Sequence, residues 1–157
     1  MLCFPWKICI CFLTLLMGEI SSNYIEGAIA LRPIYFNLKN SMIQEIVVRQ
    51  AKAWENADAE TIVADFAENG IFVVSESTFS GREAIKAAVT EYFDQFQSTK
   101  VKIIQIIVEG DRGTVEWTWR DINKTTKEEA YAEDAIILEL RDGKIVYWRE
   151  YIDKKSA

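Results

Sequence analysis

Four segments in the last third of the chain alternate between apolar and polar residues. They cover residues 101–110, 114–122, 130–140 and 144–153, and Gly110, Gly113 and Gly143 lie in the short turns between them. Such alternation is typical of strands with one buried face, and short glycine-containing turns join antiparallel neighbours. This feature constrains the fold most, because it predicts an antiparallel four-strand meander that ends the domain.

The residues before the meander predict three helices and one short strand. Apolar residues recur at helical spacing from Ile43 to Trp54, and Asp58 is placed to cap a second, short helix. A β-type run covers 71–74, and a third helix follows it, for which Ser80 and Glu83 form a capping box. The predicted order is α-α-β-α-β-β-β-β, an α+β domain in which a strongly bent sheet wraps over the helices and encloses a pocket.

The composition excludes several kinds of chemistry. The chain of 157 residues has no histidine and a net charge of −6, and its three cysteines, Cys3, Cys9 and Cys11, all precede the domain. Histidine-dependent catalysis and thiol chemistry in the domain are therefore excluded. The domain lacks the sequence motifs of nucleotide-binding and calcium loops, so we expect no cofactor and no metal. An acidic domain without a basic stripe is also a poor binder of nucleic acid.

Residues 1–41 form a leader that we separate from the domain at 42–157. Residues 8–18 are an apolar run of signal-peptide length, too short for a membrane span, which needs roughly 20 residues. Three interpretations remain open, namely an export signal, a membrane-tethering segment, or a start codon assigned too far upstream. A true start at Met42 predicts a cytoplasmic protein, and a working signal in residues 1–22 predicts an exported one. A membrane is a partner only if the segment is retained.

Three stretches, in order, carry a resemblance to a known superfamily: "DFAENGIFVV", "SGREAIKAAVTEYF" and "DGKIVYWREYID". From about Met42 to Asp153 the chain resembles the nuclear transport factor 2-like superfamily, and its SnoaL-like branch in particular. The resemblance implies a cone-shaped scaffold that hosts isomerases, dehydratases, epoxide hydrolases, polyketide cyclases and non-catalytic binding or dimerisation modules. Fold alone therefore does not decide the activity.

Comparison with two enzymes of the superfamily indicates which of their catalytic residues this chain also has. In ketosteroid isomerase the catalytic base falls at Val74 and the hydrogen-bonding tyrosine at Gln50, whereas the third functional residue matches Asp134. The end of limonene epoxide hydrolase resembles "WREYID", with its water-activating aspartate at Glu150 beside Trp148. Its Arg and Asp fall at two tryptophans, Trp117 and Trp119. The resemblance supports neither reaction.

The alignment with these two enzymes implies that Val146, Trp148, Glu150 and Ile152 lie on the inner face of the last strand. Asp134 and Glu150 are then the polar groups of an apolar pocket, where desolvation raises a carboxyl pKa and suits it to general acid–base chemistry. The alternative is that both carboxyls serve structure. The aromatic residues able to stack on a flat ligand, or else to form the core, are Trp54, Trp117, Trp119 and Trp148, and Tyr92 on the third helix has a hydroxyl that can reach the pocket.

Two functions follow from this pocket. The first is a small-molecule-binding or dimerisation module, with a small apolar ligand and a homodimer formed through the outer sheet face that carries Tyr147, Arg149 and Tyr151. The alternative is a cofactor-free enzyme of the isomerase, dehydratase or cyclase type, with Glu150 and Asp134 as general acid and base.

Overall fold

The computed structural model describes residues 42–155, so the leader lies outside the described residues. Helix α1 covers residues 42–55, α2 covers Ala59–Ala64 and α3 covers Arg82–Gln95. Strands β1 and β2 cover Phe66–Val74 and Ser77–Ser80. The meander consists of β3 (Phe96–Glu109), β4 (Arg112–Asn123), β5 (Glu129–Arg141) and β6 (Lys144–Lys155).

The six strands form one curved, unclosed sheet in the order β2-β1-β6-β5-β4-β3. All neighbouring pairs are antiparallel except β1 and β6, which run parallel. The predicted four-strand meander and the α+β cone are therefore confirmed. The hairpin strand β2 was not foreseen, and β1 is longer than the predicted run at 71–74 because its pairing with β6 continues back to Phe66.

The helices lie on the inner face of this sheet and share one core with it. In α1 the buried residues Ile43, Ile46, Val47 and Trp54 recur at the spacing of a single helical face. They pack in the same cluster as Ile136 and Leu138 of β5 and as other buried residues of β4 and β6. The amphipathic pattern of α1 thus fixes how the helix closes one end of the cone.

Two local predictions were wrong. Ser80 and Glu83 do not cap the third helix, because Ser80 belongs to β2. The N-cap is Gly81, which has no side chain to cap the helix and whose φ of 84° favours glycine. Asp58 does cap α2, and its carboxylate accepts the backbone N–H of Thr61 at 3.0 Å.

Val146 is the second correction. The register between β5 and β6 shifts so that Ile145 lies opposite Leu140 and Tyr147 opposite Glu139, which leaves Val146 as an extra residue. Ile145 is fully buried, whereas Val146 is only half-buried. The bulge changes the face of the strand between residues 145 and 147, and beyond it Trp148 and Glu150 are buried as predicted.

Candidate functional site

A cavity of about 520 Å³ lies between the inner face of the sheet and α3. Its apolar lining includes Phe72 and Phe79 of the sheet and Val89 of α3, and the buried acids in its lining are Asp121, Asp134 and Glu150, all on the sheet. The other charged residues in its lining are the acid Glu129 and the basic residues Lys154 and Lys155, all three of which are exposed. A cavity of this size that is mainly apolar and has a few polar groups is typical of a small-molecule site.

Glu150 lies deep in the cavity wall, at the centre of the sheet. On β6 it is opposite Ile136 of β5 and Val74 of β1, so its strand neighbours on both sides are aliphatic. Its Oε1 accepts the indole N–H of Trp148 at 2.8 Å. Burial raises the pKa of Glu150 to about 8, the Trp148 hydrogen bond acts in the opposite direction, and the negative charge of Asp134 raises the pKa further.

Asp134 occupies the corresponding place on β5, between Trp117 of β4 and Ile152 of β6. Its Oδ2 accepts the indole N–H of Trp117 at 3.2 Å, and its Oδ1 is buried without a hydrogen-bond partner. Burial raises the pKa of Asp134 to about 6, and the Trp117 hydrogen bond partly offsets this.

The two carboxyls belong to the same site. Glu150 pairs with Ile136 and Asp134 pairs with Ile152, so the two acids are diagonal neighbours on one face of the sheet. For such neighbours the sheet geometry gives a distance of about 7–8 Å between the two Cα atoms. Among residues 42–155, neither acid forms an ion pair with a lysine or arginine. Two buried acids without a cation are an unusual structural element, because buried carboxylates are normally paired.

A third acid, Asp121, lies in the same cavity and was not anticipated. Its Oδ2 accepts the hydroxyl of Tyr92 at 2.6 Å and the indole N–H of Trp119 at 3.0 Å. Its Oδ1 is buried and has no hydrogen-bond partner. The signal was present in the sequence, because Val115, Trp117, Trp119 and Asp121 continue one alternation along the strand.

The aromatic residues divide into two groups. Trp54, Tyr92 and Trp119 line the cavity and contact one another edge to face, with ring centroids 5.3–5.9 Å apart. Trp117 and Trp148 are buried behind the cavity surface, and their rings lie 5.8 Å apart. Each of these two indoles directs its N–H at one of the acids, so they act through Asp134 and Glu150.

Within the described part of the chain, no group of three or more metal-ligating side chains is placed to hold a metal ion. In the same part of the chain, no helix has the length and apolar character needed to cross a membrane.

The fold and this cavity define a protein of the cone-shaped, nuclear transport factor 2-like class. The family model of the SnoaL-like domain matches residues 47–148, and the chain therefore belongs to the SnoaL-like domain family. No curated protein sequence matches the chain.

Solved structures give the same fold. A hypothetical protein with a ketosteroid isomerase-like fold from Catenulispora acidiphila, in complex with trimethylamine, is 25% identical, with a TM-score of 0.64 over 68% of this chain and 84% of that one. An epoxide hydrolase resembling limonene epoxide hydrolase from M. tuberculosis is 21% identical, with a TM-score of 0.64 over 72% and 84%. An NTF2-like protein from Burkholderia pseudomallei is 15% identical, with a TM-score of 0.64 over 70% and 89%.

Proposed function

We propose that the cavity binds a small, largely apolar molecule and that Asp134 and Glu150 transfer a proton between two of its atoms. One observation carries this proposal. Two buried carboxyls line one apolar cavity, each accepts a hydrogen bond from one indole N–H, and their pKa values are raised but different. Pairs of titratable groups whose environments separate their pKa values are suited to divide the acid and base roles.

The two pKa values assign those roles. With a pKa of about 6, Asp134 is mainly ionised at neutral pH and acts as the base. With a pKa of about 8, Glu150 is mainly protonated and acts as the acid. Asp134 removes a proton from a carbon of the substrate, the electron pair of that C–H bond is delocalised, and the Glu150 carboxyl donates its proton to a second atom. Asp134 then carries a proton and Glu150 is ionised, so loss of the proton from Asp134 and return of one to Glu150 complete the cycle.

The chemistry of the pair favours a substrate with an acidic C–H bond, such as one next to a carbonyl group. Isomerisation, dehydration and cyclisation of such molecules all need one proton removed and one returned. Because the walls are aromatic and aliphatic, they select for apolar shape rather than for a particular functional group.

The experiment is proton exchange in deuterated water, followed by NMR, on a panel of small cyclic ketones. We expect the wild-type protein to accelerate exchange beside the carbonyl of at least one ketone. Glu150→Gln and Asp134→Asn should each lower that rate about a hundredfold or more. The matched control is Glu133→Gln, because Glu133 adjoins Asp134 on β5 but is exposed on the opposite face.

The pH profile of the exchange tests the assignment of roles. We expect the rate to rise as Asp134 ionises near pH 6 and to fall as Glu150 loses its proton near pH 8. Binding of ketones without any exchange would contradict proton transfer and would leave the second candidate, a non-catalytic binding module that uses the same cavity.

The homodimer through the outer sheet face remains a prediction. Its supporting observation is that Ile137 and Tyr151 are 44% and 48% exposed there.

A further inference from the structure

We propose that Asp121 is a ligand-recognition residue, and that its Oδ1 binds the ammonium group at one end of an elongated, otherwise apolar amine. This inference rests on the proposed function only in placing the ligand in the same cavity. It adds the chemical class of the ligand and its orientation.

The geometry of Asp121 leaves one oxygen for a ligand. Tyr92 and Trp119 both donate to Oδ2, and the Trp119 N–H also reaches the Tyr92 hydroxyl oxygen at 2.9 Å. These contacts fix the orientation of the carboxylate. Only 6% of the residue is exposed, yet Oδ1 has no partner and the residue lines the cavity. A buried acceptor without a donor is unfavourable, so a ligand that donates to Oδ1 gains the hydrogen bond.

The charge balance around Asp121 favours a cation over a neutral donor. Within residues 42–155, no lysine or arginine forms an ion pair with Asp121. The two lysines in the cavity lining, Lys154 and Lys155, are exposed, and Lys155 pairs with Glu133 and Asp153. The negative charge of Asp121 nevertheless acts on Tyr92. Burial makes the largest contribution to raising the pKa of Tyr92 well above its ordinary value, and the hydrogen bond to Asp121 and the charge of Asp121 raise it further. An ammonium group supplies the missing positive charge and makes a charge-assisted hydrogen bond, roughly twice as strong as a neutral one.

The surrounding rings fit the same ligand. Trp54, Tyr92, Phe96 and Trp119 line the cavity on the Asp121 side. Aromatic faces attract an ammonium ion and its neighbouring methylene groups. A carboxylate ligand would instead meet the negative charge of Asp121, so we expect it to be excluded.

The position of Asp121 along the sheet gives the length of the ligand. Asp134 is opposite Trp117, and Asp121 lies four residues further along β4 than Trp117. At about 3.3 Å per residue this separates the two acids by about 13 Å along the strand. A ligand held at Asp121 therefore extends its apolar part toward Asp134 and Glu150, where proton transfer is proposed.

The test compares three probes that share one apolar chain, n-octylamine, n-octanol and octanoate. Because Trp54 and Trp119 line the cavity, tryptophan fluorescence reports binding, and calorimetry gives the affinity. We expect wild type to bind the amine about tenfold or more tighter than the alcohol, and octanoate more weakly still. Asp121→Asn should abolish the preference for the amine, whereas Glu116→Gln should keep it, because Glu116 lies on the same strand but is exposed.

Equal affinity for amine and alcohol in the wild type would overturn the proposal without need of any variant. A preference that survives Asp121→Asn but is lost in Asp134→Asn would also overturn it, because the amine would then bind at the other end. The two proposals fail separately. Amine binding through Asp121 without ketone exchange contradicts only proton transfer, and exchange without an amine preference contradicts only the role of Asp121.

Discussion

Asp65 and Glu150 are both buried acids, but they lie in two regions that treat a carboxyl in opposite ways. Asp65 follows α2, outside the cavity, and receives the Arg49 guanidinium on both oxygens, at 2.6–3.0 Å, and the Gln50 amide at 2.9 Å. Glu150 faces the cavity and accepts one indole N–H, from Trp148. Burial alone therefore does not distinguish the two acids, whereas position beside a cavity and the lack of an ion pair with a lysine or arginine among residues 42–155 do.

The region around Asp65 joins three parts of the fold. The Gln50 amide also donates to the carbonyl of Ile62 in α2, and the backbone carbonyl of Asp65 accepts the N–H of Ile145 in β6. Helix α1, helix α2 and strand β6 are thus connected through one short segment. This explains why an acid at this position is structural.

Asp65→Ala should give the largest effect on stability. The substitution leaves the buried Gln50 amide with one acceptor fewer and removes the partner of Arg49, so we expect a loss of about 3 kcal/mol in the free energy of unfolding. Urea denaturation of the wild type and the variant measures it. A loss close to zero would show that the Asp65 network is as dispensable as a surface ion pair, and the comparison would fail.

Glu150→Gln should act in the opposite direction and only at high pH. The folded protein keeps the Glu150 proton up to about pH 8, whereas the unfolded chain releases it near 4.5. The wild type therefore loses stability as the pH rises between these values, and glutamine avoids the loss. Water that enters the cavity reduces the cost of ionising Glu150. We therefore expect Glu150→Gln to raise the free energy of unfolding by about 2 kcal/mol near pH 9 and almost not at all near pH 5.

The same denaturation series at several pH values measures this gain, with Asp153→Asn as the control because Asp153 is exposed on the same strand. We expect the control to stay within about 0.5 kcal/mol of wild type. Destabilisation by Glu150→Gln at every pH would place Glu150 in the same class as Asp65.

Trp148→Phe should give the smallest effect on the titration, and it sharpens the comparison. The Trp148 hydrogen bond lowers the pKa of Glu150, so its removal should move the midpoint of the stability change to higher pH. Trp117→Phe is the matched variant, because Trp117 is equally buried but donates to Asp134. NMR titration of the labelled Glu150 carboxyl measures both variants. A midpoint that moves in Trp117→Phe but not in Trp148→Phe would contradict the assignment of the indole donors.

Much of the site could be predicted because the alternation along a strand shows which of its side chains lie on the same face of the sheet. The alternation grouped the residues of each strand by face, and the resemblance assigned the face with Asp134 and Glu150 to the interior. The structure places both acids in one cavity. It did not reveal the bulge at Val146, because a bulge depends on how two strands pair and not on the apolar pattern of one strand. The cap of α3 was missed for a similar reason, since Ser80 pairs with Ile71 in a hairpin that only the sheet defines.

The sequence by itself determined the order of the helices and strands except for β2, and which residues of each strand share a face, because these depend on local periodicity. Only the tertiary structure decided which acids have a cation and which do not. Arg49 and Asp65 are 16 residues apart, and Tyr92 and Asp121 are 29 apart, so neither pairing follows from spacing along one element. Such partners are chosen by how α1 and α3 pack on a curved sheet. The same packing leaves the Oδ1 atoms of Asp121 and Asp134 buried without a partner in a cavity that can hold a ligand.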